Sequence, residues 1–269
     1  MKKIAILTVN YRNYTVTREF IDCFAPIKSD DFHIFIADLS ERKEQLPERP
    51  WLSVIPAENK GYAHGVNVGI EAALKQDLDH FVVINNDTRV EKDFVKHVKN
   101  SLMHHPKSLI GGKIYYEKGY EYHDKYAKEE SGKVLWYAGG IVDWKNVYTA
   151  HRGVDEVDHG QYDAFMQTPF ITGCLMLFDH AVVSAIGLWD ERYFLYYEDA
   201  DYCERAKQKH IPLYYDPSVA IWHKNAQSTG GAGSSLHQHY QKKNRFIFGL
   251  KYAPFYTKLH LLKNALLGR

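Results

Sequence analysis

The first hundred residues alternate short apolar runs with stretches of helical period, and that alternation narrows what the chain can fold into. Lys3–Val9 (KIAILTV), His33–Ala37 (HIFIA), Leu52–Ile55 (LSVI) and Phe81–Ile84 (FVVI) read as buried strands. Val16–Phe24, Tyr62–Leu74 and Asp93–Leu102 read as helices between and after them; in the second, Val66, Ile70 and Leu74 recur at every fourth position. Strands that alternate with helices form βα units, and such units build a mostly parallel sheet flanked by helices. The expected fold is α/β and Rossmann-like. Ligands of these sheets bind beyond the carboxyl ends of the strands. Polar residues do cluster there: Asn10 and Tyr11 after the first run, Asp38 and Ser40 after the second, Glu58 to Lys60 after the third, and Asn85, Asn86 and Asp87 after the fourth.

The rest of the chain sets bounds. With 269 residues it lies near the size at which one core stops growing, so a single domain is expected. A formal net charge of +1 gives no electrostatic footprint for nucleic acid, which is excluded as a partner. The three cysteines contain no CxxC pair, which argues against a disulfide framework or a thiolate zinc site and for a reducing cytoplasm. The first apolar run meets Asn10 and Arg12 too soon for a signal peptide. No stretch approaches the roughly 18 to 20 apolar residues of a spanning helix. From Ile114 to about Gly160 the chain is rich in Tyr, Lys, Glu and Asp and reads as a functional excursion with short strands. Order returns at Pro169–Phe178, a strand with an internal Gly173, and at a helix over Ala200–Lys209.

Three constellations carry chemistry. The first is Glu198-Asp199-Ala200-Asp201 behind the aromatic run Tyr193–Tyr197. Acids at a helix start are often simple caps, and Asp201 fits that role. The aromatic run would also desolvate Glu198 and Asp199, raising a carboxylate toward the range useful to a general base. The second is Asn85-Asn86-Asp87 at a strand end, which either closes an Asx turn or offers a hard oxygen ligand to Mg²⁺ or Mn²⁺. The third is Trp222-His223, followed by the small polar run Ser228–Ser235. That run reads as a mobile loop suited to closing over a ligand. A lone histidine such as His223 is either a satisfied side chain or a metal ligand.

Taken in order, these stretches resemble the family 2 glycosyltransferases of the GT-A fold, and their rhamnosyltransferase-like branch in particular. The resemblance rests on Val9-Asn10-Tyr11, Asp38, Asn59 to Ala63, Asn67 to Ile70, Ile84 to Thr88, Tyr137 to Gly140, Ile171-Thr172-Gly173, Gly187 to Asp190, Tyr193-Phe194 with Glu198 to Asp201, and Trp222-His223. It spans nearly the whole chain. It implies a nucleotide-sugar-binding half over 1–113, an acceptor and catalytic half over 114–235 that includes the excursion, and a C-terminal helical segment over 236–269. Asn10, Tyr11 and Asp38 would hold the nucleoside; Asn59, Gly61, Asn67, Asn85 and Asn86 would line the donor side, the glycine permitting close backbone approach. Asp87 and His223 would hold Mg²⁺ or Mn²⁺, Asp199 would be the general base beside Glu198, and Gly173 and Trp189 would face the acceptor. The family's DxD motif commonly starts with Asp where this chain has Asn85. The donor implied is dTDP-rhamnose or a UDP-hexose, and the acceptor a saccharide or polyprenyl-linked saccharide of cell-surface polysaccharide synthesis, with inversion at the anomeric carbon.

Two other enzyme classes fit less well. A sugar-1-phosphate nucleotidyltransferase would want a glycine-rich basic loop where the chain has Asn10-Tyr11-Arg12-Asn13. A dehydrogenase would want GxGxxG after the first strand. A non-catalytic nucleotide-sugar-binding protein would have no use for both Asp87 and Asp199. At the C-terminal end, Phe255, Leu259, Leu262 and Leu266 form a helical stripe near Lys258, Lys263 and Arg269. Such a helix either packs on its own domain or lies on an anionic membrane surface, a peripheral contact on the inner face of the cell membrane.

Overall fold

The structure, a computed structural model, describes residues 3–27, 30–224 and 235–267. The Gly/Ser run from Ser228 to the start of the helix at Ser235 lies outside the described residues, as does Arg269. In the first part of the chain, β1 (Ile4–Asn10), α1 (Tyr14–Phe24), β2 (Phe32–Asp38), β3 (Leu52–Pro56), α2 (Tyr62–Lys75) and β4 (His80–Ile84) fall where the apolar pattern puts them. There follow β5 (Thr88–Arg89), α3 (Phe94–His104), β6 (Leu109–Tyr116), β7 (Leu135–Tyr137), β8 (Gly140–Asp143), β9 (Tyr148–His151) and β10 (Met166–Gln167). The last elements are β11 (Leu175–Asp179), α4 (His180–Ile186), α5 (Glu198–Gln208), β12 (Leu213–His223), α6 (Ser235–Tyr252) and α7 (Phe255–Leu266).

The main sheet runs β3-β2-β1-β4-β11-β6-β12-β10. β3, β2, β1 and β4 are mutually parallel, as are β6 and β12. β11 is inserted antiparallel between β4 and β6. The chain moves outward from β1 to β3, and α2 then carries it back to β4 on the other side of β1. That reversal opens a crevice beyond the carboxyl ends of β1 and β4, where an α/β sheet binds its ligand.

The sheet is apolar on both faces because alternate residues of each strand are buried against different helices. Ala5, Leu7, Phe81 and Val83 pack with α2, α4 and α5. Ile4, Ile6, Val82 and Ile84 pack with Phe20, Ile21 and Phe24 of α1 and with Phe94, Val98 and Leu102 of α3. Each of the Val, Leu, Ile and Phe side chains contributes about 1.5–3 kcal/mol of burial free energy.

Two expectations need correction, and one pair of strands escapes the sequence pattern. The strand predicted over Pro169–Phe178 starts only at Leu175, because Thr172 to Cys174 form a turn in which the Leu175 amide donates to the Thr172 carbonyl at 3.3 Å. The helix predicted from Ala200 starts at Glu198, so Glu198 and Asp199 belong to its first turn. The parallel pair β6–β12 goes unread because both strands carry residues that mimic breaks. In β6 a Cβ on Gly112 would stand 2.2 Å from the Val219 carbonyl oxygen. In β12, Pro217 sits where the register shifts between Asp216 and Ala220, a bulge that tolerates the missing N–H. Among the described residues no helix is long and apolar enough to cross a membrane.

Candidate active site

A cavity of about 1550 Å³ lies beyond the carboxyl edge of the sheet. Tyr11, Asn59, Gly61 and the turn Asn85 to Asp87 line it from the ends of β1, β3 and β4. Gly173, Glu198, Asp199 and His223 line it from the turn before β11, the start of α5 and the end of β12. The two acidic motifs, more than a hundred positions apart, therefore face one space.

Asp87 and His223 are brought together by the short pairing of β5 with β12, in which Thr88 stands opposite His223. The Lys224 amide donates to the Asp87 carbonyl at 2.8 Å and fixes the turn. His223 Nε2 lies 3.2 Å from Asp87 Oδ1. Both side chains are buried, and neither Asp87 Oδ1 nor His223 Nδ1 has a hydrogen-bond partner. A buried carboxylate oxygen without a donor is costly, and a cation would relieve that cost. No third His, Cys, Asp or Glu completes a cluster with them among the described residues. Two protein ligands fit a divalent ion whose other positions go to phosphate oxygens and water.

The second acidic motif is held in a strained turn. Tyr196 and Tyr197 both adopt left-handed backbone conformations, φ 69° and 72°, which side-chain-bearing residues keep only when their surroundings enforce it. Here Asn244 of α6 donates from Nδ2 to the carbonyls of Leu195 (2.8 Å) and Tyr196 (3.0 Å). The Tyr197 hydroxyl donates to the Val147 carbonyl at 2.9 Å. From α2, the Tyr62 amide donates to the Phe194 carbonyl at 2.9 Å. Asp201, fully buried, accepts from Arg205, Lys251 and the Tyr252 hydroxyl, tying α5 to α6.

The turn gives two adjacent carboxyl groups unequal surroundings. Asp199 accepts the Gly173 amide at 2.9 Å and the Ala200 amide at 2.8 Å. Burial raises its pKa, and the two amides restrain the rise. Glu198 Oε2 is buried without a partner. Burial first, and then the charge of Asp199, push the Glu198 carboxyl well above the usual range. The pair titrates together, with Glu198 favoured as the protonated member and Asp199 as the carboxylate.

Four of the expected ligand contacts are not on the cavity wall. Asn10 and Asp38 are buried beneath it: Asn10 Nδ2 donates to Asp38 Oδ1 at 2.9 Å, and the Tyr14 hydroxyl donates to Asp38 Oδ2 at 2.8 Å. Ser40 supplies further donors to Asp38. These bonds tie the ends of β1 and β2 together and use the acceptor capacity expected to reach a base or ribose. Asn67 is likewise occupied, accepting the Trp189 amide and donating to the Trp189 carbonyl, both at 2.9 Å. Trp189 itself is buried, stacks on Tyr202 with ring centroids 5.1 Å apart, and backs Gly173 from behind. Its expected acceptor contact gives way to support of that turn. Gly61 does line the cavity, but the close approach it permits is to its own chain. It adopts φ +102°, and a Cβ there would stand 2.3 Å from the Phe194 carbonyl oxygen.

Other site residues escape a reading of the sequence. The Tyr62 hydroxyl donates to Asn85 Oδ1 at 2.9 Å and lies 3.1 Å from the Gly173 carbonyl, bridging the two halves. It stands one position after Gly61 in a stretch already singled out, which is the signal that was present. Trp136 and His151 line the cavity beside Asp87 and His223, the Trp136 ring 4.6 Å from that of His223. Burial pushes His151 down to about 4, so it is neutral at physiological pH. Asn244 gives no sequence signal, since its role depends on the packing of α6.

The sequence profile of the glycosyltransferase-like family 2 matches residues 30–249. Among curated proteins the chain is similar to the low-salt glycan biosynthesis hexosyltransferase Agl10 of Haloferax volcanii, with 23% identity over 190 residues, covering 70% of this chain and 57% of that protein. It is also similar to the N-acetylglucosaminyl-diphospho-decaprenol L-rhamnosyltransferase of Mycobacterium tuberculosis, 34% identical over 80 residues, or 29% of this chain and 25% of that one. The chain thus spans between a quarter and somewhat over half the length of these relatives. In fold it is similar to GalNAc-T7, crystallised with UDP, GalNAc and Mn²⁺, at a TM-score of 0.66 and 14% identity, covering 90% of this chain and 47% of that one.

Proposed function

This chain belongs to the glycosyltransferase family 2, and from that membership we propose that it is an inverting transferase that moves a sugar from a nucleoside diphosphate to an acceptor hydroxyl. The observation that supports this reading best is the single cavity lined by Asp87, His223 and Asp199. A positioned carboxylate at one part of the wall and a carboxylate–imidazole pair able to hold a cation at another are what a direct displacement at a sugar carbon needs.

In the proposed step the acceptor O–H gives its proton to the Asp199 carboxylate while the oxygen attacks the anomeric carbon. The bond from that carbon to the diphosphate breaks, and its electron pair leaves with the diphosphate. The new bond forms on the opposite face of the carbon, which inverts it. The Gly173 and Ala200 amides aim the Asp199 oxygens, and neutral Glu198 adds no second negative charge beside the base. Asp87 and His223 would hold a Mg²⁺ or Mn²⁺, which neutralises charge on the departing diphosphate. Tyr11, Asn59, Asn85 and Asn86 are the donor-side contacts in this reading.

The donor is dTDP-rhamnose or a UDP-hexose, supported by the rhamnosyltransferase and the UDP-bound GalNAc-T7 among the similar proteins. The acceptor is a saccharide or a polyprenyl-linked saccharide of cell-surface glycan synthesis, supported by the diphospho-decaprenol substrate in the name of one relative. Thermal-shift measurements with dTDP- and UDP-sugars, each with and without Mn²⁺, test the donor half. A ligand at a hundred times its Kd stabilises by about 2.7 kcal/mol, so a bound donor raises Tm visibly. The expected result is a rise that requires Mn²⁺ and disappears in Asp87→Ala. An equal rise without metal would refute coordination by Asp87, and no rise with any nucleotide would refute the donor assignment.

A further inference from the structure

The helix α7 leaves most of its apolar surface uncovered. Phe255, Leu259, Leu262 and Leu266 are 69%, 48%, 44% and 88% exposed, and Tyr256 and Leu267 are 83% and 57% exposed. No residue of α7 is buried. At 3.6 residues per turn the first four fall on one stripe, with Lys258 on one side of it and Lys263 on the other. The opposite side, through Leu261, meets Gly249 of α6. The charged side chains of α6 and α7 have one sign. Between Ser235 and Leu267 the sequence holds six Lys or Arg and no Asp or Glu, in a chain whose formal net charge is only +1. Exposed apolar stripes flanked by cations are the signature of a helix that lies in a lipid interface.

We propose that the outward face of α7 docks on an anionic phospholipid bilayer, with Phe255, Leu259, Leu262 and Leu266 in the acyl boundary and Lys258 and Lys263 at the headgroups. The charge argues against a second copy of this chain as the occupant, because an isologous contact would set cation against cation. The docked helix also borders the active cavity: Leu261, Asn264 and Ala265 of α7 and Lys242, Lys243 and Arg245 of α6 line it. Docking therefore turns one wall of the cavity toward the lipid, which suits an acceptor whose sugar is carried on a membrane-borne chain. That last step rests on the transferase reading; the docking does not.

Co-sedimentation of the full chain with phosphatidylcholine vesicles, with and without phosphatidylglycerol, tests the proposal. The chain is expected to pellet with the anionic vesicles and to stay in solution with the neutral ones. Leu259→Asp combined with Leu266→Asp, and Lys258→Glu combined with Lys263→Glu, should each weaken anionic-vesicle binding at least about tenfold. Because none of these side chains is buried, Tm and turnover on a water-soluble saccharide acceptor should stay at parental values. Absence of pelleting with phosphatidylglycerol vesicles would overturn the docking, whatever the turnover. A light-scattering mass of two chains that the leucine variant reduces to one would overturn it too, by giving the face to a second copy. A chain that pellets as expected but transfers no sugar keeps the docking and removes the transferase reading.

Discussion

Glu198 and Asp199 are neighbours in sequence, and only their hydrogen bonds separate their roles. Asp199 has two backbone amides to hold it as an anion, whereas Glu198 Oε2 has none. The aromatic run before them made desolvation legible in the sequence, but which acid is protonated depends on amides from Gly173 and Ala200 that no spacing reveals. The raised Glu198 pKa makes a stability prediction. A carboxyl whose folded pKa exceeds its unfolded value of 4.5 stabilises the protein fully below that value, and the contribution is lost as pH rises toward the folded pKa. Glu198→Gln mimics the neutral form at every pH, so its Tm should gain on the parent steadily as pH rises from about 4.5 through neutrality. Melting curves across that range check it, and a pH-independent difference would count against a protonated Glu198. Asn10, Asp38, Asn67 and Trp189 teach the complementary lesson. Their positions after strands and turns were readable, but their side chains are used within the fold, and burial decides that.

At the scale of elements, the site depends on a left-handed turn braced from three directions. Tyr196 and Tyr197 keep positive φ because Asn244, Tyr197's own hydroxyl bond to Val147, and the α2 start at Gly61-Tyr62 leave the turn no room to relax. Gly61→Ala would force a Cβ against the Phe194 carbonyl at a φ that alanine avoids, and should cost at least about 2 kcal/mol. Urea unfolding measures that loss, and turnover should fall with it because the same turn carries Asp199; an unchanged midpoint would contradict the account. The βα units of the first hundred residues were legible because each strand is an unbroken apolar run. β6 and β12 were not, because Gly112 and Pro217 sit at a tight crossing and a bulge, where tertiary contact overrides local propensity. α7 was legible as an amphipathic helix, while its uncovered face emerges only from packing.

Across the whole molecule, the sheet's reversal between β1 and β4 gathers strand ends from one half, and the antiparallel β11 with β12 returns the other half to the same edge. The α/β class and the crevice follow from the order of strands and helices, which the sequence carries in its periodicity. The meeting of Asp87 with His223 depends on the β5–β12 pairing, two residues long in β5 and too short to read in advance. In the function proposed above, labour divides within one cavity: Asp87 with His223 would hold the donor through a cation, and Asp199 would deprotonate the acceptor. The most direct test measures turnover and Mn²⁺-dependent nucleotide affinity side by side in Asp199→Asn. Turnover is expected to fall by about 10² to 10⁴ with affinity kept. Parental turnover, or affinity lost in parallel with turnover, would contradict it.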